Sequence, residues 1–117
     1  MVFIYFYDIL GLEMKIQITG KNMGITPNIR RIIDEKIGGL SKFLGNFDSD
    51  LIIVDVEVGR PSRHHRSGDI FYAEVNLSLP GNMLRAQAER DDLTKAIVKV
   101  RSELKIQIEK YKGQLKK

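Results

Sequence analysis

FYAEVNLSLPGNMLRAQAERDDLTKAIVKVRSELKIQIEKYK, residues 71–112, decides the fold, because its hydrophobic period changes within one stretch. Phe71, Ala73, Val75, Leu77 and Leu79 alternate with Tyr72, Glu74, Asn76 and Ser78. That period of two belongs to a strand with one apolar face. Pro80-Gly81-Asn82 signals a tight turn, since proline presets φ and glycine takes a positive φ without steric cost. Leu84, Ala86 and Ala88 then alternate with Arg85, Gln87 and Glu89, so a second strand returns. At Asp91-Asp92 the pattern turns helical. Aspartate caps free amide groups, and its charge suits a helix N-terminus. At about 100° per residue, Leu93, Ala96, Ile97, Val100, Leu104, Ile108 and Tyr111 fall in one stripe.

Upstream, residues 51–58 form a further strand, with Ile52, Val54, Val56 and Val58 on one face and Ile53, Asp55 and Glu57 on the other. Thr26-Pro27 starts a helix, because threonine caps it and proline fits the first position, where its missing N–H has no partner to lose. Ile29, Ile32, Ile33, Leu40, Phe43 and Leu44 carry its apolar stripe. Gly38-Gly39 interrupts that stripe at about 1 kcal/mol per glycine, so the helix is expected to weaken or bend there. Lys15-Ile16-Gln17-Ile18-Thr19 alternates as a short first strand. The order β-α-β-β-β-α predicts an α+β two-layer sandwich: a four-stranded mixed sheet with two helices on one face. A helical crossover makes the first two of these strands parallel, and the others form an antiparallel meander.

The chain has 117 residues, a single-domain length, and no cysteine, which excludes disulfides, thiolate metal sites and thiol nucleophiles. Residues 14–117 are expected to form the domain. Residues 1–13, MVFIYFYDILGLE, are apolar and aromatic but lack a signal peptide's basic start and small-residue cleavage site, and they are too short to span a membrane. Their status stays open between an upstream start, with Met14 the original one, and an extra strand or tether. The formal charge is +4. Residues 93–117 hold eight basic residues against two acidic ones, a net +6, so one helix carries the field and the remainder is slightly acidic.

On that helix Lys95, Lys99 and Lys110 lie on one side of the apolar stripe, and Arg101, Lys105 and Lys112 on the other. The alternative reading is a lysine-rich solvated face, which gives no reason for the outward positions of Val98 and Ile106. Arg30, Arg31, Lys36 and Lys42 on the first helix suit a second basic wall. Between the second and third strands of this count, Arg60, Arg63, His64, His65 and Arg66 sit beside glycines, where arginine forks match phosphate oxygens. Two adjacent histidines without further ligands do not suit a metal. No GxSxG, GxxxxGK[ST] or HExxH motif supports catalysis, and Asp55 with Glu57 reads as the wet side of a strand.

Taken in order, MKIQITGKNMGITPNIRRIIDEKI (14–37) and RAQAERDDLTKAIVKVRSELKIQIEKYK (85–112) resemble the ribosome-associated inhibitor and hibernation-promoting factor family, formerly called sigma-54 modulation protein. The resemblance covers residues 14–117. It implies a domain similar to double-stranded-RNA-binding domains, no enzymatic activity and no cofactor. It also implies a cytoplasmic, ribosome-associated translation inhibitor that contacts 16S rRNA in the small subunit and occludes the tRNA and mRNA sites in stress or stationary phase. By position the family's rRNA contacts correspond to Arg30, Arg31, Lys36, Lys95, Lys99, Lys105, Lys110 and Lys112. No membrane, small-molecule substrate or stable self-association is expected, and ending at Lys117 implies the short form, without the long form's dimerisation domain. The chain departs from the family pattern at Thr94, Val98, Glu103, Ile106 and Gly38-Gly39, which bears on the detail of the rRNA contact. The alternatives are a generic structured-RNA binder and a protein-interaction module built on Val98, Ile106 and the aromatic N-terminal segment.

Overall fold

The four strands read from the sequence lie side by side in the computed structural model, which describes residues 2–9, 12–44, 51–61, 70–79 and 81–115. In chain order the elements are β1 (Val2–Ile9), β2 (Leu12–Lys21), α1 (Pro27–Lys36), a 3-10 helix (Gly38–Phe43), β3 (Leu51–Gly59), β4 (Phe71–Leu79), β5 (Asn82–Arg90) and α2 (Leu93–Leu115). The sheet order follows the sequence, β1-β2-β3-β4-β5. β2 and β3 are parallel, joined through α1, while β3-β4 and β4-β5 are antiparallel, as the crossover argument requires. β1 adds a fifth strand, antiparallel to β2 from Val2 opposite Thr19 to Ile9 opposite Leu12. β2 is therefore longer than the alternation at residues 15–19 indicates, and it is an interior strand.

Register converts the period-two pattern into two opposed faces. Ile16, Val54, Leu77 and Leu84 form one row across β2 to β5, and Ile18, Val56, Val75 and Ala86 form the next. All eight are buried, and the helices cover them with Ile33, Ile37, Leu40, Leu44, Ala96, Ile97, Val100, Leu104 and Ile108. Both helices lie on this face. The opposite face carries the rows Gln17-Asp55-Asn76-Arg85 and Thr19-Glu57-Glu74-Gln87, half-buried or exposed. At the β4–β5 hairpin Leu79 pairs with Asn82, and Gly81 takes φ +74°, where any side chain is strained.

α1 starts as its residues dictate, with Pro27 in the first turn and the Ile29 amide donating to Thr26 Oγ1 at 3.1 Å. It ends at Lys36. Beyond the Ile37 cap the chain tightens into the 3-10 helix at the double glycine, so the one weakened helix expected over residues 26–44 is two helical pieces sharing a stripe. The second piece buries Leu40 and Ser41 and half-buries Phe43.

Candidate nucleic-acid interface

α2 is fixed first at its N-terminus. The Lys95 amide donates to Asp92 Oδ1 at 3.1 Å, so Asp92, rather than Asp91, is the cap. The buried stripe then orients the helix, and its basic residues emerge on two flanks. Lys95, Lys99 and Lys110 are exposed; Arg101, Lys105 and Lys112 are half-buried. Gln107, next to the first flank, reaches β5, whereas Lys105 on the second flank faces the 3-10 helix.

Two exposed lysines have local acidic partners, Lys95 with Asp91 at 3.4 Å and Lys99 with Glu103 at 3.1 Å. Exposed pairs of this i,i+4 kind contribute only about 0.3–0.5 kcal/mol, so they position the ammonium groups without committing them. On α1, Arg31 reaches Glu35 at 3.2 Å and Asn28 at 2.8 Å, one bond from each terminal nitrogen, which leaves other donors of its fork for a phosphate. Arg30 is exposed and Lys36 half-buried in the last turn.

Phe43 joins the two helical segments. The Lys42 and Lys105 ammonium groups each lie 5.2 Å from its ring centroid. Each such contact contributes about 0.5–1 kcal/mol, and together they hold two cations from distant parts of the chain on one ring. The sequence identifies both lysines as candidates but treats Phe43 only as core; no periodic signal marks a ring shared across two elements.

Arg60 leaves the end of β3 under tight control. Its amide donates to the Lys21 carbonyl at 3.1 Å, its own carbonyl accepts from Asn22 Nδ2 at 3.0 Å, and its guanidinium sits 4.7 Å from the Phe71 ring centroid. Arg63, His64, His65 and Arg66 lie outside the described residues.

The two sides of the protein differ in charge. The helix layer presents the lysines and arginines above. Among the described residues the open sheet face presents Asp55, Glu57, Glu74 and Glu89 against Lys15, Lys21 and Arg85. Glu57 is bonded by the Tyr72 hydroxyl at 2.7 Å, and Glu74 by Arg85 at 2.6 Å. Burial first, then the Glu57 hydrogen bond and the neighbouring carboxylate charges, push the Tyr72 phenol well above its ordinary range. Burial also raises the Asp34 carboxyl on α1. Among the described residues no three His, Cys, Asp or Glu side chains cluster as metal ligands, and no helix is long and apolar enough to cross a membrane.

Comparison with known proteins places this geometry. Residues 16–116 match the model of the family described as sigma 54 modulation protein / S30EA ribosomal protein. A ribosome hibernation promoting factor of Acinetobacter guillouiae is 30% identical over 99 residues, spanning 85% of this chain and 88% of that protein. A ribosome hibernation promotion factor of Staphylococcus aureus is 30% identical over 102 residues, 87% of this chain but 50% of the relative, so this chain spans half of that protein's length. Among solved structures, a ribosomal subunit interface protein from Coxiella burnetii superposes with TM-score 0.65 at 26% identity, covering 84% of this chain and 97% of that one. The Thermus thermophilus Protein Y N-terminal domain does so with TM-score 0.65 at 24% identity, covering 80% and 93%, a likeness of fold.

Proposed function

We propose a function from this premise: the chain belongs to the sigma 54 modulation protein / S30EA ribosomal protein family. It acts as a cytoplasmic ribosome hibernation factor rather than an enzyme. It binds 16S rRNA of the small subunit through the helix layer and occludes the tRNA and mRNA sites under stress or in stationary phase. The observation that carries this reading is the segregation of charge. Cations gather on α1, the 3-10 helix and α2, while the described residues of the sheet face opposite them are close to balanced, with a small excess of acid. A polyanion is attracted to the first side and not to the second, so the fold itself sets the orientation on RNA. Arg30, Arg31, Lys36, Lys95, Lys99, Lys105, Lys110 and Lys112 supply phosphate contacts, and Arg60 with the Arg63–Arg66 segment adds a third. The free protein is a monomer and needs no small-molecule ligand.

Cosedimentation with purified small subunits tests the proposal. The wild-type chain is expected to pellet with them at low salt and to be displaced as salt rises, because each neutralised phosphate releases counterions. Lys95→Glu, Lys99→Glu and Lys105→Glu combined should abolish pelleting. Failure of the wild type to bind at low salt overturns the reading, and absence of competition with tRNA reduces it to generic structured-RNA binding. A protein-interaction module would keep its partner after the same charge reversals.

A further inference from the structure

The outer side of α2 carries a feature that charge does not explain. Val98 is 39% exposed and Ile106 67%, and neither joins the core. Ser102, midway between them, returns its hydroxyl to the Val98 carbonyl at 3.1 Å, so its polarity is spent on the helix itself. Three residues at successive four-residue steps make a ridge about 12 Å long. At about 100° per residue, Lys95 and Lys99 lie to one side of that ridge with Glu103, Arg101 and Lys105 lie to the other with Glu109, and Lys110 continues the ridge at the next four-residue step. The result is an apolar midline between two margins of net positive charge, on a convex surface.

That pattern selects its occupant. A second copy laid ridge to ridge would bring two strongly positive helices together and be repelled. A protein groove would gain little from two aliphatic side chains, since stable interfaces bury roughly 800 Å² per partner around a packed centre. The minor groove of an A-form RNA helix has the complementary form: wide and shallow, floored by riboses and base edges, with phosphates along both margins. We propose that the Val98-Ser102-Ile106 ridge seats in the minor groove of a helical rRNA segment while the flanking cations reach phosphates of its two strands. This rests on the rRNA-binding reading above and specifies which RNA form α2 takes.

The ridge contact is apolar and insensitive to salt, whereas the flanks are salt-dependent, so the two separate experimentally. The probes are an RNA duplex of about sixteen base pairs, the same sequence single-stranded, and the matching DNA duplex. The wild-type chain is expected to prefer the RNA duplex. Val98→Asn with Ile106→Asn should weaken duplex binding about tenfold, with Tm and the slope of log K against log salt unchanged. Lys99→Gln with Lys105→Gln should instead flatten that slope by nearly one per lysine. No preference for duplex RNA, or an unchanged Kd in the Val98/Ile106 variant, overturns the proposal and leaves a protein partner as the reading of the ridge. Loss of small-subunit binding with the duplex results intact overturns the proposed function and not the ridge.

Discussion

Glu57 on β3 and Glu74 on β4 stand directly opposite one another in register, on the sheet face turned away from the helices. Like charges in that position destabilise a strand pair. Each has its own relief: the Tyr72 hydroxyl donates to Glu57 Oε2 at 2.7 Å, and Arg85 donates to Glu74 Oε2 at 2.6 Å. The pair contributes to the small excess of acid on that face, which favours a polyanion on the opposite side.

Removing the phenol exposes the conflict. Tyr72→Phe should cost about 1 kcal/mol at neutral pH, seen as a lower urea midpoint. Alkaline pH gives a second readout. The Tyr72 phenol is raised above its ordinary value, so the folded state favours the neutral form. That contribution is complete below about pH 10, the unfolded value, and is lost as pH rises toward the folded value. Above pH 10 the wild type should therefore lose stability with a slope that Tyr72→Phe lacks. In ultraviolet titration the wild type should show a raised tyrosine transition that is missing from the variant.

Asp34 runs in the same direction, with burial as its cause. Burial raises its carboxyl, so folding is opposed by the charged form. Stability from this group is present below the unfolded carboxylate value and declines as pH rises through the raised folded value. Asp34→Asn is expected to raise the denaturation midpoint at pH 7 and leave it nearly unchanged near pH 3. A loss of stability at pH 7 would show that the carboxylate has a favourable partner instead.

Two glycines should respond with opposite signs. A Cβ on Gly59 would run into the Lys21 carbonyl of the neighbouring parallel strand, which is backbone and cannot swing away. Gly59→Ala should cost about 2 kcal/mol. A Cβ on Gly39 meets nothing within 4 Å, so Gly39→Ala should stabilise by about 0.5 kcal/mol by narrowing the unfolded ensemble. Chemical denaturation of the two variants side by side reads both signs.

Much of this fold is legible in the sequence because inward and outward alternation is a local property. Ile16, Val54, Leu77 and Leu84 could be assigned to one face of their strands before their register was known. Gly38-Gly39 signals a break but not its form, since a change to 3-10 depends on how Leu40 and Leu44 reach the core. The apolar run of residues 2–9 does not alternate, so its pairing with β2 had no local signature. For the site, helical spacing places the cations on two flanks of α2. It cannot bring Lys42 to Lys105, because Phe43 links them only after α2 has packed beside the 3-10 helix.

Phe43 gives a functional test of that link. Phe43→Leu keeps an apolar side chain against the core but removes the ring that holds both ammonium groups. Small-subunit affinity is expected to fall several-fold at low salt, with Tm shifted by only a few degrees. An affinity equal to wild type would mean that Lys42 and Lys105 need no pre-positioning.

At Arg85 the outer edge of β5 is covered by a side chain of α2. Gln107 of α2 donates from Nε2 to the Arg85 carbonyl at 2.8 Å, and its Oε1 accepts from the Arg85 amide at 3.3 Å. One amide thus satisfies both edge-facing groups of one residue, as a neighbouring strand would. Open edges invite pairing with other chains, so this contact protects the strand as well as anchoring α2. Gln107→Ala should cost about 1 kcal/mol. Hydrogen exchange at the Arg85 amide should accelerate by more than that global loss explains. Gln107→Glu separates the two bonds: its carboxylate can still accept from the amide but repels the carbonyl. Its exchange at Arg85 should lie between wild type and Gln107→Ala, while its stability should be no better than that of the alanine variant. Exchange at Arg85 that tracks global unfolding in all three proteins would assign the edge protection to something other than Gln107.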